Sequence, residues 1–225
     1  MRTKIFVFLI FGLAILKNSY AHKYITMLVE GNSWNVLHHG DDFNLTQVLK
    51  VSTDTVINDT VYSKIISAYD SLSANWSLAG YMREDILAQK VYYRSVGSFS
   101  KSDSIFYNFN VKVNDSVIIS VVDLNHSNLP IHDYYYTYNK VDSIDSIYIE
   151  GVYHKRIFVN YTDGIFNWGQ HVWIEGVGGS EGLLTSSLVS STIDPTQLLC
   201  FFKNDSLTFK GYTSGKYSDC FYCST

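Results

Sequence analysis

The chain contains only two prolines and three cysteines, and only 17% of its residues are charged. No segment rich in proline, or in glycine and serine, separates one part of the chain from another, so the sequence predicts no interdomain linker. Aromatic residues make up 16% of the chain, which is enough for a large apolar core. We therefore expect one domain, residues 22–225, after an N-terminal leader.

Long hydrophobic runs are also missing, except at the N-terminus. Arg2 and Lys4 precede the apolar residues 5–16, and Ser19-Tyr20-Ala21 follows them, which is the pattern of a Sec signal peptide. A membrane-spanning helix needs about 20 apolar residues, so this run is too short to be one. The sequence predicts a signal peptide over residues 1–21, no membrane anchor in the mature chain, and a periplasmic or secreted protein.

A basic excess is missing as well. The formal net charge is −4, and removal of Arg2, Lys4 and Lys17 with the leader takes it to −7. Proteins that bind nucleic acid need a basic stripe or patch to neutralise phosphates. We therefore expect no nucleic-acid partner.

Recognisable catalytic motifs are missing too: there is no G-x-S-x-G, P-loop or G-x-G-x-x-G. Glu175 is a candidate for one carboxylate of a glycosidase pair, but the sequence identifies no second one. The densest group of possible metal ligands is His38, His39, Asp41 and Asp42. Adjacent histidines on a strand point to opposite faces, so the sequence predicts neither a metal nor a cofactor.

Helical periodicity is nearly absent, whereas at least ten segments alternate or are continuously apolar at strand length. Only Leu184–Val189 is a candidate for a short helix. Two-residue turn signals lie between apolar segments, the first of which is Tyr24–Glu30. These signals are Gly31-Asn32, Asn58-Asp59, Glu84-Asp85, Asn114-Asp115, Glu150-Gly151 and Asn204-Asp205. The prediction is an all-β, antiparallel meander of hairpins, forming an open twisted or barrel-like sheet or a two-sheet sandwich.

The chain is organised around His171–Leu184, HVWIEGVGGSEGLL, where an alternating run ends in glycines. Period two places His171, Trp173 and Glu175 on one face of a strand and Val172 and Ile174 on the other. If the second pair faces the core, the first three face solvent and form a candidate ligand-binding face with a ring, an anion and an imidazole. In the alternative arrangement, Trp173 is the buried residue and Ile174 is exposed.

Three cysteines in an exported protein suggest one disulfide and one remaining thiol. We predict a bond between Cys200 and Cys220, with an entropic effect of about 3 kcal/mol. Cys223 is the alternative partner for Cys200. A redox C-x-x-C at Cys220–Cys223 is disfavoured, because no helix N-terminus is predicted there to stabilise a thiolate.

Seven segments, in their order and spacing, resemble a family of exported, β-rich Bacteroidota proteins of unestablished function. The segments are EGNSWNVLHH (30–39), DTVINDTVYSKI (54–65), LAGYMRED followed by KVYYR (78–94), IFYNFNVKVNDSV (105–117), GVYHKRI (151–157), WIEGVGGSEGLL (173–184) and LLCFFKNDSL (198–207). The likeness covers nearly all of the mature chain. Family members often carry a C-terminal sorting domain for type IX secretion, which is absent here, so the resemblance leaves the periplasm and the cell surface equally expected. It implies no catalytic residues.

These features predict an exported, non-enzymatic interaction module whose partner is an extracytoplasmic protein or a glycan. The alternative is an extracytoplasmic hydrolase that acts on glycans or peptides. A cleft with two close carboxylates, or with a histidine and a carboxylate near a serine, would favour the hydrolase.

Overall fold

The computed structural model describes residues 23–39, 44–69, 75–96, 103–121, 135–162, 167–185, 196–211 and 219–224. Within these ranges the chain forms strands and turns without a helix, and every strand pair is antiparallel. The predicted all-β, antiparallel fold is confirmed. The signal peptide predicted over residues 1–21 lies outside the described residues, and of the helix predicted over Leu184–Val189 only Leu184 and Thr185 are described, in a turn and in coil.

Fourteen strands lie in the described ranges and pair into two sheets. They are β1 (Ser33–His39), β2 (Asn44–Ile57), β3 (Thr60–Ala68), β4 (Ser77–Asp85), β5 (Lys90–Arg94), β6 (Ser104–Asn108), β7 (Ser116–Val121), β8 (Tyr135–Ile149), β9 (Val152–Thr162), β10 (Asn167–Ile174), β11 (Gly178–Gly179), β12 (Thr196–Lys203), β13 (Ser206–Lys210) and β14 (Cys223–Ser224). Sheet one has the order β13-β12-β1-β2-β3-β4-β5-β6, with β14 paired to β2, and sheet two has the order β11-β10-β9-β8-β7. Both sheets are curled, each like half of a barrel.

Local turn chemistry explains most of the hairpins. Asn58-Asp59, Glu150-Gly151 and Asn204-Asp205 all have positive φ, as a two-residue hairpin turn requires. The turn predicted at Glu84-Asp85 lies slightly later, over residues 86–89. The signal at Asn114-Asp115 is not a hairpin: it carries the chain from β6 in sheet one to β7 in sheet two.

The two sheets share one hydrophobic core that is rich in aromatic side chains. Trp34 of β1 packs on Phe201 of β12, with ring centroids 5.1 Å apart. Tyr107 of β6 stacks on Phe109 at 5.8 Å and meets Trp173 of β10 edge-on at 5.7 Å. Such tilted and edge-on contacts between large rings are favourable beyond the area that they bury.

The glycine-rich segment after β10, residues 175–184, is mostly buried and lies between the sheets. Its backbone carbonyls accept hydrogen bonds from Trp34 Nε1 (to Val177, 2.5 Å) and from the Tyr107 hydroxyl (to Leu183, 2.8 Å). The backbone of Ser180 joins the two sheets, since its N–H donates to Val172 of β10 and its carbonyl accepts from Leu198 of β12, both at 2.8 Å. This segment therefore connects the two sheets along one side of the core.

The prediction of a first strand over Tyr24–Glu30 is wrong. Residues 23–29 run without a partner strand, and two carboxylates accept hydrogen bonds from three of their backbone N–H groups instead. Glu84 of β4 accepts from Met27 at 3.0 Å and Leu28 at 2.9 Å, and Glu175 accepts from Ile25 at 2.7 Å. We call residues 23–29 the N-terminal strap, because side chains from both sheets hold it.

Candidate functional site

The face that carries His171, Trp173 and Glu175 points into the protein. The three side chains are 0%, 0% and 1% exposed, and Ile174 on the opposite face is 2% exposed. The predicted solvent-facing orientation is therefore wrong. Alternation defines two faces of a strand, but tertiary packing covers both faces at this end of β10, so the exposed Ile174 of the alternative arrangement is not found either. The three residues lack the exposure that a surface ligand site requires.

Each of these three side chains has a structural contact. Trp173 packs edge-on against Tyr107 and, at 6.5 Å, against Phe109. The Glu175 carboxylate accepts the backbone N–H of Ile25 in the N-terminal strap. Burying a carboxylate is costly unless it is hydrogen-bonded, and this bond is part of the compensation.

His171 lies near a carboxylate and a serine, a grouping that would favour a hydrolase. Its Nδ1 is 2.8 Å from Oε2 of Glu181, and the Ser180 hydroxyl donates to Oε1 of Glu181 at 2.8 Å. The carboxylate therefore lies between the serine and the histidine, whereas a nucleophilic serine needs the histidine beside it as a base. The Ser180 hydroxyl also accepts the N–H of Val172 at 3.1 Å. This grouping stabilises the glycine-rich segment after β10, and its geometry does not activate a nucleophile.

The two adjacent histidines diverge, as the strand geometry predicts. His38 is buried, with Nε2 3.1 Å from the side-chain oxygen of Gln47, and Nδ1 of the partly buried His39 is 3.0 Å from that of Asn44. The other two candidate ligands, at positions 41 and 42, lie outside the described residues. Among the residues that are described, no three His, Cys, Asp or Glu side chains are placed to hold a metal ion.

The predicted disulfide between Cys200 and Cys220 is confirmed, with a Cα–Cα distance of 5.4 Å. Cys200 is buried in β12 beside Leu37 and Leu199. The bond ties the C-terminal segment to sheet one, where β14 pairs with β2. Because Cys220 is bonded to Cys200, the C-x-x-C with Cys223 does not form an internal pair, and its second cysteine lies in a strand.

An open groove lies where the β4–β5 turn approaches the β8–β9 hairpin. Its cavity has a volume of about 370 Å³. We call it the Tyr153 groove, and its lining residues are Gln89, Asp145, Ser146, Tyr153 and Lys155. Each of these side chains carries a hydrogen-bonding group, while their carbon atoms form slightly more than half of the lining.

Tyr153 supplies an exposed ring at this groove. It is 63% exposed, and its ring centroid is 5.0 Å from that of Tyr148, its direct cross-strand partner. A cross-strand aromatic pair of this kind restrains both rings. The groove therefore has a braced aromatic surface that faces solvent.

Gln89 enters the groove from a strained turn. Its φ is +53°, in the left-handed region that costs a residue with a side chain about 1–2 kcal/mol. Its carbonyl accepts the N–H of Phe109 at 2.8 Å, which holds the turn in place. Strain of this kind persists only where the surroundings impose it, and it is frequent at binding sites.

The two charged side chains of the groove are already engaged. Nζ of Lys155 donates to the carbonyls of Phe109 at 2.6 Å and Val111 at 3.1 Å, and burial lowers the pKa of this amine although nearby Glu175 opposes the shift. Arg156 donates to both oxygens of Asp145, at 2.7 and 2.6 Å, and this hydrogen bonding lowers the pKa of the Asp145 carboxyl. The carboxylate is thus held ionised and cannot act readily as a general acid.

The sequence contains a signal for only part of this groove. A two-residue turn at Glu150-Gly151 implies the pairing of Tyr148 with Tyr153 by register alone. Nothing in the sequence connects Gln89 with β9, because their approach depends on how the two sheets meet.

Two further findings complete the description. In the described part of the chain, no helix is long and apolar enough to cross a membrane. Comparison of the chain with protein-family models, with curated proteins and with solved structures finds no match in any of the three.

Proposed function

We propose that this chain is an exported, non-enzymatic binding module that holds its ligand in the Tyr153 groove. The observation that carries the proposal is the braced pair Tyr148 and Tyr153, exposed beside a cavity of about 370 Å³. An exposed aromatic ring beside convergent polar groups is typical of recognition sites.

Export is supported by the predicted leader over residues 1–21 and by the resemblance to exported Bacteroidota proteins. The partner would be an extracytoplasmic protein or a glycan, in the periplasm or outside the cell. The net charge of −4 supports this choice over nucleic acid.

The hydrolase alternative has less support from the described residues. Among the described residues that line the groove, Asp145 is the one carboxylate, and Arg156 binds it through two hydrogen bonds. Glycosidases need two carboxyl groups about 5–10 Å apart across the bond that is cleaved. Glu84 and Glu175 interact with each other, but both accept backbone N–H groups of the N-terminal strap and neither lines the groove.

The test compares binding with turnover on the mature chain, residues 22–225. We expect ligands from a library of glycans and peptides to bind, and chromatography of the same ligands after long incubation to show no cleavage. Cleavage that is lost in Asp145→Asn, but kept in the control Asp54→Asn on the β2–β3 hairpin, would show that the protein is a hydrolase.

A further inference from the structure

The chemistry of the groove indicates its ligand class, an inference that rests on the proposed function. We infer that the Tyr153 groove binds a short saccharide, with a sugar ring stacked on Tyr153 and its hydroxyl groups hydrogen-bonded to Gln89, Ser146 and Lys155. The volume of about 370 Å³ lies near the lower end of the range of roughly 300–1,000 Å³ for small-molecule sites. A short saccharide suits that size.

The polar side chains of the groove have unused hydrogen-bonding capacity. Within the described part of the chain, the Gln89 amide and the hydroxyls of Ser146 and Tyr153 make no hydrogen bond to protein. An amide offers two donors and an acceptor, and each hydroxyl offers both roles. A ligand dense in hydroxyl groups matches this mixed set, because every sugar hydroxyl is also both donor and acceptor.

Lys155 adds a directed donor. An ammonium group has three N–H bonds, and two of them are directed at the carbonyls of Phe109 and Val111. These bonds fix the position of Nζ, which leaves one N–H for an acceptor in the groove. A fixed donor loses less conformational entropy on binding than a free surface lysine does.

Tyr153 provides the stacking surface that distinguishes a sugar from a more polar solute. The C–H groups on one face of a pyranose are apolar and pack on an aromatic ring, while its hydroxyls point outward to the rim. Tyr148, whose ring centroid is 5.0 Å away, restrains the orientation of the Tyr153 ring. Tyr148 is thus a positioning residue, and Tyr153 is the residue in contact with the ligand.

A peptide fits this groove less well. Peptide recognition relies on apolar pockets for side chains or on a free strand edge for backbone pairing. None of the five lining residues is an aliphatic residue, so the groove offers no apolar pocket for a peptide side chain. We therefore assign the groove to a saccharide and treat peptide binding as a contrary outcome.

The first experiment measures saccharide binding to the mature chain. The probes are neutral glucan, mannan, xylan and chitin oligosaccharides and acidic galacturonan oligosaccharides, first on a printed array and then by calorimetry. We expect at least one probe to bind with a Kd below about 1 mM. We expect Tyr153→Ala to weaken that binding by about tenfold or more, through loss of the stacking surface. The matched control is Tyr138→Ala, because Tyr138 is 64% exposed on the same sheet but does not line the groove.

The second variant, Gln89→Gly, separates ligand contact from folding. Glycine adopts φ of +53° without strain and keeps the backbone carbonyl that binds Phe109, so we expect this variant to be about as stable as the parent. It removes only the amide side chain, and we expect weaker saccharide binding with an unchanged or higher urea midpoint. Asn58→Gly is the control, since φ is +48° there, in a remote hairpin turn.

The outcomes distinguish the ligand class from the proposed function. If no probe binds, or if the affinity is the same in Tyr153→Ala, the saccharide inference is wrong. If peptides bind instead and Tyr153→Ala abolishes their binding, the binding module stands and only the ligand class fails. If saccharides bind but are cleaved, the ligand class stands and the non-enzymatic function fails.

Discussion

At the scale of single residues, the buried glycine segment after β10 contains a position, Gly176, where a side chain meets two obstacles. Gly176 has φ of +76°, and a Cβ there would lie 2.6 Å from Cγ2 of Ile25 and 3.4 Å from Nδ1 of His154. Two costs therefore combine at this position: the left-handed backbone and the lack of space. Gly151 in the β8–β9 turn has φ of +85° but open surroundings, so only the first cost applies there.

The pair of variants Gly176→Ala and Gly151→Ala separates these costs. We expect Gly151→Ala to lower the free energy of unfolding by about 1–2 kcal/mol, from backbone strain alone. Gly176→Ala adds overpacking against the strap and should cost a further 1–3 kcal/mol or so. Urea denaturation of both variants measures the difference. Equal costs would mean that Ile25 moves aside and that the strap does not confine Gly176.

At the scale of elements, Asp103 links three neighbouring strands of sheet one. Its carboxylate accepts hydrogen bonds from Tyr62 of β3 at 2.7 Å, Arg83 of β4 at 2.6 Å and Arg94 of β5 at 3.0 Å. Burial by itself would raise the pKa of Asp103, but the hydrogen bonds from Arg83 and Tyr62 and the two positive charges outweigh it and lower the pKa. The group is therefore ionised in the folded protein to a lower pH than in the unfolded chain.

The lowered pKa gives a pH-dependent prediction for Asp103→Asn. Because the folded pKa lies below the unfolded value of about 3.9, the stabilisation is complete above that pH and is lost as the pH falls through the folded value. We expect the variant to cost about 1–3 kcal/mol at pH 7, and we expect that cost to shrink below about pH 4. Urea unfolding of both proteins at pH 3, 5 and 7 measures it.

A control for this series is Asp54→Asn, which alters an exposed aspartate that accepts one hydrogen bond from Ser63. Substitutions at exposed sites of this kind usually change stability by less than about 0.5 kcal/mol. A cost for Asp103→Asn that is the same at pH 3 and pH 7 would contradict the assigned role of the ionised carboxylate.

At the scale of the whole molecule, the N-terminal strap connects the two sheets. Glu84 belongs to β4 of sheet one, and Glu175 follows β10 of sheet two, yet both bind backbone N–H groups of the same short segment. Burial raises the pKa of Glu84, while the N–H groups of Met27 and Leu28 act against that shift. The strap is thus an irregular segment, rather than a strand, that is bound by residues of both sheets.

Removing each carboxylate should release a different part of the strap. In Glu84→Ala, we expect the amides of Met27 and Leu28 to exchange with solvent faster, because both carboxylate oxygens that accept their hydrogen bonds are lost. The Ile25 amide should stay protected by Glu175 in that variant. Glu175→Ala should give the opposite pattern, and each loss should cost about 1–3 kcal/mol of unfolding free energy. Hydrogen exchange read by NMR distinguishes the two.

The same rate of exchange at all three amides in both variants would contradict this assignment. It would mean that the strap opens as one unit and that neither carboxylate holds a separate part. Global unfolding is excluded as the cause if the core amides of β9 keep their protection.

Several features of this protein followed from the sequence because their causes are local or compositional. Period-two alternation and missing helical periodicity predicted the all-β fold, since side chains of a strand alternate between two faces. Asn58-Asp59 and Asn204-Asp205 predicted hairpins, because these residues accept positive φ. The pairing of Cys200 with Cys220 followed from the small number of cysteines and the expected compartment, although the alternative with Cys223 remained open until the structure placed Cys220 beside β12.

The tertiary structure decided which face of each strand is inside and which distant groups meet. The alternation in β10 is compatible with either orientation, and only packing against Tyr107 and Phe109 turned Trp173 inward. Asn114-Asp115 has the same local chemistry as the hairpin turns, yet the chain passes from one sheet to the other there. The reason is that the Asn114 N–H and the Asp115 carbonyl both pair with the backbone of Val141 in β8. The approach of Gln89 to Tyr153 likewise depends on how the two curled sheets meet, a long-range arrangement that no local pattern in the sequence encodes.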